Sequence, residues 1–154
     1  MSIYYDPSVL IALYLPETLS RAARILVEQS GKALRINPLQ ELELRNGIRQ
    51  KVHRGEIDEG QAARCLRILD DNVVEGKMQR RQVFWDTTFG RAEEISRRLA
   101  QKHNCRAFDL LHVAIAVVSE ATDFATFDRE QGQIARLAGL SLVEWSESAE
   151  EPRC

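Results

Sequence analysis

The stretch SIYYDPSVLIALY, residues 2–14, decides the fold. Residues 2–6 are an apolar, aromatic run closed by an acid, and they predict a short strand. Val9 to Tyr14 predicts a short helix stopped near Pro16. A strand that passes through one acid into a helix opens a β-α unit. The same order returns late in the chain. DFATF, residues 123–127, predicts a strand; Asp128 follows it, and residues 129–138 predict a helix.

Between these two units the pattern keeps alternating. Leu19, Ala22, Ala23, Leu26 and Val27 recur with a helical period over residues 18–29, and Gly31 closes that helix. ALRI, residues 33–36, predicts a strand. Asn37-Pro38 is a helix start, with a capping side chain followed by proline at the first helical position; the helix runs to about His53. Asp58 with Gln61 predicts a capping box for a helix to about Val74. Val83 to Trp85 reads as a short strand, and Thr88 as the cap of a helix over 89–102. A further helix is expected from Ala107 to Ser119, and a last strand, SLVEW, over 141–145. Strands separated by helices pair in parallel, so the expected fold class is α/β, a three-layer α/β/α sandwich with a central, mostly parallel sheet.

The 154 residues suffice for one domain with a sizeable core. Apolar residues make up 44% and charged residues 29%, which excludes a mainly disordered chain. The longest apolar runs, Val9 to Leu15 and Val113 to Val118, are far short of the ~20 residues of a crossing helix. Asp6 interrupts the apolar start, which speaks against a signal peptide. Cys65, Cys105 and Cys154 are odd in number and widely spaced, as expected for a reducing cytoplasm rather than a disulfide scaffold. The net charge is −2. Four glutamates crowd the last eleven residues, so residues 1–143 carry 20 basic against 19 acidic groups. We expect one domain over 1–145 and a poorly ordered acidic tail over 146–154.

Ligands of open parallel sheets bind outside the carboxyl ends of the strands. Asp6 and Asp128 fall at that edge. Asp109 is the lone acid of RAFDLLH, residues 106–112, in the first turn of an almost wholly apolar helix, and Glu43 lies in ELELRN, residues 41–46. Each acid also has an ordinary structural role open to it, as a cap, a macrodipole partner or a solvated face residue. Four carboxylates meeting at one edge would repel one another without a cation, and hard cations such as Mg²⁺ take oxygen ligands. Any one of the four turned outward, or neutralised by an internal arginine, would rule out such a site.

Asp6-Pro7-Ser8-Val9-Leu10, Glu43-Leu44-Arg45-Asn46, Phe108-Asp109-Leu110-Leu111-His112-Val113-Ala114 and Thr126-Phe127-Asp128 together resemble the PIN domain, in particular the VapC-type ribonuclease toxins of toxin–antitoxin pairs. The resemblance spans residues 2 to about 143. It implies that Asp6, Glu43, Asp109 and Asp128 are a catalytic quartet holding Mg²⁺ or Mn²⁺, with Ser8, Thr126 and Asn46 as polar supports. It also implies single-stranded RNA as substrate, cut to 5′-phosphate and 3′-hydroxyl ends, a homodimer, and an antitoxin partner. Pro7 and Gly47 depart from the commoner residues; the glycine should weaken its helix by roughly 1 kcal/mol. Glu41 rivals Glu43, but two residues apart on a helix they point about 200° apart, and the spacing to Asn46 favours Glu43.

His112, three residues beyond Asp109, shares its helix face and stands either beside the site or satisfied within the helix packing. Arg45, Arg49, Arg80 and Arg81 are candidate RNA contacts, against the alternative of solvated faces. Tyr14, Leu15, Leu19, Leu66 and Leu69 are either an apolar groove for the antitoxin or ordinary core. A phosphatase would need an acid where Ser8 stands, and a phosphoaspartate receiver a lysine later than Lys102; neither is present. The remaining alternative is a non-catalytic RNA-binding or protein-interaction module of the same fold.

Overall fold

A computed structural model describes residues 2–146. The expected tail, from residue 147 on, lies outside the described residues. Twelve elements follow in order: β1 (Ile3–Tyr5), α1 (Pro7–Tyr14), α2 (Ser20–Ser30), β2 (Leu34–Ile36), α3 (Pro38–His53), α4 (Glu59–Val74), β3 (Met78–Arg80), α5 (Trp85–Leu99), α6 (Ala107–Val118), β4 (Asp123–Ala125), α7 (Arg129–Leu137) and β5 (Ser141–Leu142). Every strand pairing is parallel. β4 lies between β1 and β5, with Tyr4 opposite Phe124 and Tyr5 opposite Ala125, while β2 pairs separately with β3.

Strand alternation divides the interior into two cores. Tyr5 and Ala125 face one side, among Val9, Leu10, Ile36, Leu44, Ile48 and Leu69. Tyr4 and Phe124 face the other, among Ile95, Val113, Ala114 and Ile134. Both tyrosines are therefore core residues, on opposite faces of β1, and helices cover both faces of the sheet. Full burial of a leucine or isoleucine side chain is worth about 1.5–3 kcal/mol. Leu15 and Leu69 are buried, and Tyr14, Leu19 and Leu66 pack against that first core. Their ordinary-core role is the one observed.

The predicted caps at Asn37 and Asp58 form complete capping boxes with Gln40 and Gln61. Two expectations are corrected. Val83 to Trp85 is not a strand: the place beside β2 is taken by β3, clamped at its ends by Leu34 N–H to the Lys77 carbonyl (2.9 Å) and Arg81 N–H to the Ile36 carbonyl (2.8 Å). Thr88 is not a cap either. α5 already begins at Trp85, and Thr88 lies buried inside it. The last two predicted strands are also shorter than expected, ending at Ala125 and Leu142.

Candidate metal centre at the strand edge

Asp6 follows β1 directly, and its own N–H donates to the Ala125 carbonyl of β4 at 2.9 Å. The two strand ends are thus stitched where the acids emerge. Asp6 Oδ2 accepts from Ser8 N–H (3.0 Å) and from the Ser8 hydroxyl (2.5 Å), and lies 3.3 Å from the Thr126 hydroxyl. Asp6 caps α1 by the first of these bonds, the structural role open to it from sequence. It is only 5% exposed, and no lysine or arginine pairs with it among the described residues. Burial pushes its carboxyl above the ordinary range, against the pull of the Ser8 hydroxyl, His112, the Ser8 N–H and Gln131.

Asp128 divides its two oxygens. Oδ1 caps α7, accepting from Glu130 N–H (2.9 Å) and Gln131 N–H (3.2 Å). Oδ2 accepts from Arg106 at 3.2 Å. Asp128 N–H donates to the Thr126 hydroxyl oxygen at 3.0 Å, so Thr126 joins Asp6 to Asp128. Asp109, in the first turn of α6, meets the same guanidinium: Arg106 Nε donates to its Oδ2 at 2.9 Å.

Glu43 is reached through a buried chain. Asn37 Nδ2 donates to the Tyr4 hydroxyl oxygen (3.0 Å); the Tyr4 hydroxyl lies 2.8 Å from His112 Nδ1; His112 Nε2 lies 3.1 Å from Glu43 Oε2. Because Asn37 supplies the donor to Tyr4, the phenol proton is free to go to Nδ1. The other ring nitrogen, Nε2, faces the Glu43 carboxylate, an acceptor for its proton. Burial raises the Tyr4 hydroxyl well above its usual range and keeps it a donor. His112 is 1% exposed. It is at once satisfied within the packing and bonded to Glu43.

Glu41 points elsewhere. It takes Arg45 (3.0 Å) and Arg80 (2.8 Å), and the Arg80 hydrogen bonds hold its carboxyl below the ordinary range. Arg45 also binds Asp70. Two of the four candidate RNA contacts therefore have their charge already countered, while Arg49 is exposed and Arg81 donates to Gln79 (3.0 Å). Asn46 is exposed on α3, and no hydrogen bond to an acid is found for it.

Among the described residues, no three His, Cys, Asp or Glu side chains are gathered tightly enough to hold an ion as they stand. The donor set nonetheless fits a hard divalent cation in its chemistry. All four candidates offer carboxylate oxygens, one of them buried without a lysine or arginine partner among the described residues, and two meet a single positive group. None of the four is turned fully outward. Arg106 is not internal, since 64% of its side chain is exposed. Sequence reasoning missed Arg106, Tyr4 and Asn37. The spacing of Arg106 to Asp109 was a visible i, i+3 pair; the contacts of Tyr4 across 33 and 108 residues had no local signal.

Parallel strands enclosed by helices on both faces, with Asp6 directly after β1 and Asp128 capping the helix that follows β4, define an α/β protein. The family model for the PIN domain matches residues 3–137, and the chain belongs to that family. PIN domains are generally metal-dependent nucleases. Comparison with curated proteins finds no match. Among the described residues no helix is long and apolar enough to cross a membrane.

Proposed function

We propose that this chain is a Mg²⁺- or Mn²⁺-dependent endoribonuclease for single-stranded RNA and the toxin of a type II toxin–antitoxin pair. The observation that carries the catalytic reading is Asp6: a carboxylate buried at the joined ends of β1 and β4, raised by desolvation, linked through Thr126 to Asp128, and without a lysine or arginine partner among the described residues. A buried anion without a counter-ion is costly, and a cation relieves that cost.

Asp6, Asp109 and Asp128 would hold the ion. Glu43, its Oε2 bonded by His112, either completes that set or orients the attacking water. When bound, the cation supplies charge neutralisation and polarises the phosphodiester. The protein supplies position: Ser8 and Thr126 fix Asp6, and the Asn37–Tyr4–His112 chain fixes Glu43. All four acids are retained, which favours catalysis over a purely binding role. Exposed Phe84, Trp85, Phe89 and Phe108 offer apolar surface for the proposed homodimer and antitoxin.

The test is cleavage of a labelled single-stranded RNA with Mg²⁺ or Mn²⁺. Activity should vanish with chelator and in Asp6→Asn and Asp109→Asn, with circular dichroism unchanged. Equal cleavage in the presence of chelator would overturn the mechanism.

A further inference from the structure

We propose that Arg106 is a resident counter-ion that the divalent cation must displace: a built-in latch that holds the metal-free site closed. This rests on the metal-site reading above.

The guanidinium forks between Asp109 Oδ2 and Asp128 Oδ2, at 2.9 and 3.2 Å. These acids come from different elements, the first turn of α6 and the N-cap of α7. Arg106 is the only lysine or arginine bridged to any of the four acids among the described residues. The competition is for specific atoms. Asp128 Oδ1 is committed to capping α7, so Oδ2 is the oxygen it has left for an ion, and that is the oxygen Arg106 takes. At Asp109 the guanidinium takes Oδ2 through Nε.

The latch is built to open. Arg106 is the N-cap residue of α6, with extended backbone (φ −76°, ψ 150°) and no capping hydrogen bond of its own, so moving its side chain leaves the helix intact. With 64% of the side chain exposed, the departing charge is readily hydrated and its pairing is weak. A doubly charged ion attracts the same oxygens more strongly than a singly charged, delocalised one. Arg106 therefore screens Asp109 from Asp128 while no cation is present, and cedes both when one arrives.

The experiment is calorimetric titration of Mn²⁺ into the full chain, as wild type, Arg106→Gln and Asp6→Asn, together with NMR observation of the Arg106 Nε–H during Mg²⁺ titration of the wild type. Arg106→Gln should bind Mn²⁺ about three- to tenfold more tightly than wild type, the scale of one lost exposed competitor. Asp6→Asn should bind it more weakly, and the Arg106 Nε–H signal should shift as Mg²⁺ saturates. Unchanged or weaker Mn²⁺ binding by Arg106→Gln, or an Nε–H signal unmoved at saturation, overturns the latch while wild-type binding lost in Asp6→Asn keeps the metal site. No Mn²⁺ binding by any of the three proteins overturns both.

Discussion

His112 Nε2 lies 3.1 Å from Glu43 Oε2, joining α6 to α3 across 69 residues of sequence. The imidazole is aligned from behind by Tyr4, so the orientation of Glu43 depends on a phenol rooted in β1. Removing that phenol oxygen by Tyr4→Phe leaves Asn37 Nδ2 and His112 Nδ1 without this partner. We expect about 1–3 kcal/mol of lost stability in urea titration. RNA cleavage should fall about 10–100-fold, as when the groups that orient metal ligands are lost. A variant that loses stability yet cleaves at the wild-type rate when fully folded would show the chain to be packing alone.

Glu41 and Glu43, two residues apart, separate charge pairing from the site. Glu41→Gln should leave cleavage within about twofold, whereas Glu43→Gln should lower it at least 100-fold, roughly the loss of a general acid–base group. Glu41 also has a pH signature. Its carboxyl is held low by Arg80 and Arg45. Its stabilising contribution is thus complete above the ordinary glutamate value of about 4.3 and is lost as pH falls through the lower folded value. The stability gap between wild type and Glu41→Gln, about 0.5–1 kcal/mol for a partly exposed ion-pair network, should be open at pH 7 and smaller near pH 3. Urea titrations at the two pH values measure it.

Much of this arrangement was legible in the sequence because its signals are local. Asp6, Asn37 and Asp128 stand between a strand and a helix, Asp58 between two helices, and each caps its helix. β3 was illegible for the opposite reason. Met78-Gln79-Arg80 has one buried side chain, and its strand character comes from pairing with β2, 44 residues earlier at Leu34. Val83 to Trp85 has the better strand composition but no strand to pair with. Phe84 instead precedes α5, a start with no capping side chain to betray it. Likewise the four acids could be named from their places, while the charge that bridges two of them could not be seen without coordinates.

Gly47 has a packing reason visible only in three dimensions. A Cβ there would stand 2.8 Å from Ile11 Cδ1 and 3.3 Å from its Cγ1, where α3 crosses α1. Alanine would gain about 1 kcal/mol in helix propensity, but Ile11 must move its outer methyl. We therefore expect Gly47→Ala to stabilise the wild type by less than that propensity, and to stabilise an Ile11→Val background by about 0.5–1 kcal/mol more than it does the wild type. A double-mutant cycle in urea reads the coupling; strict additivity would show that the methyl moves freely.

Asp6 should destabilise the protein whenever its charge is not met by a cation. Burial raises its folded carboxyl above the unfolded value. For an acid shifted upward the sign is reversed from that of Glu41. The cost is absent below the unfolded value of about 3.9, grows as pH rises through the interval up to the folded value, and is complete above it. Asp6→Asn keeps an oxygen to accept from Ser8 and removes the charge. In chelator it should melt higher than wild type at pH 7, with the difference vanishing below about pH 4. Saturating Mg²⁺ should reverse the order, because the cation binds the folded wild type and raises its melting temperature by mass action, while the asparagine variant loses that ligand. Differential scanning calorimetry with and without Mg²⁺ at pH 3.5 and 7 distinguishes the cases. A variant that melts below wild type in chelator at pH 7 would mean that the Ser8 and Thr126 hydrogen bonds outweigh desolvation, and that Asp6 is a structural cap first.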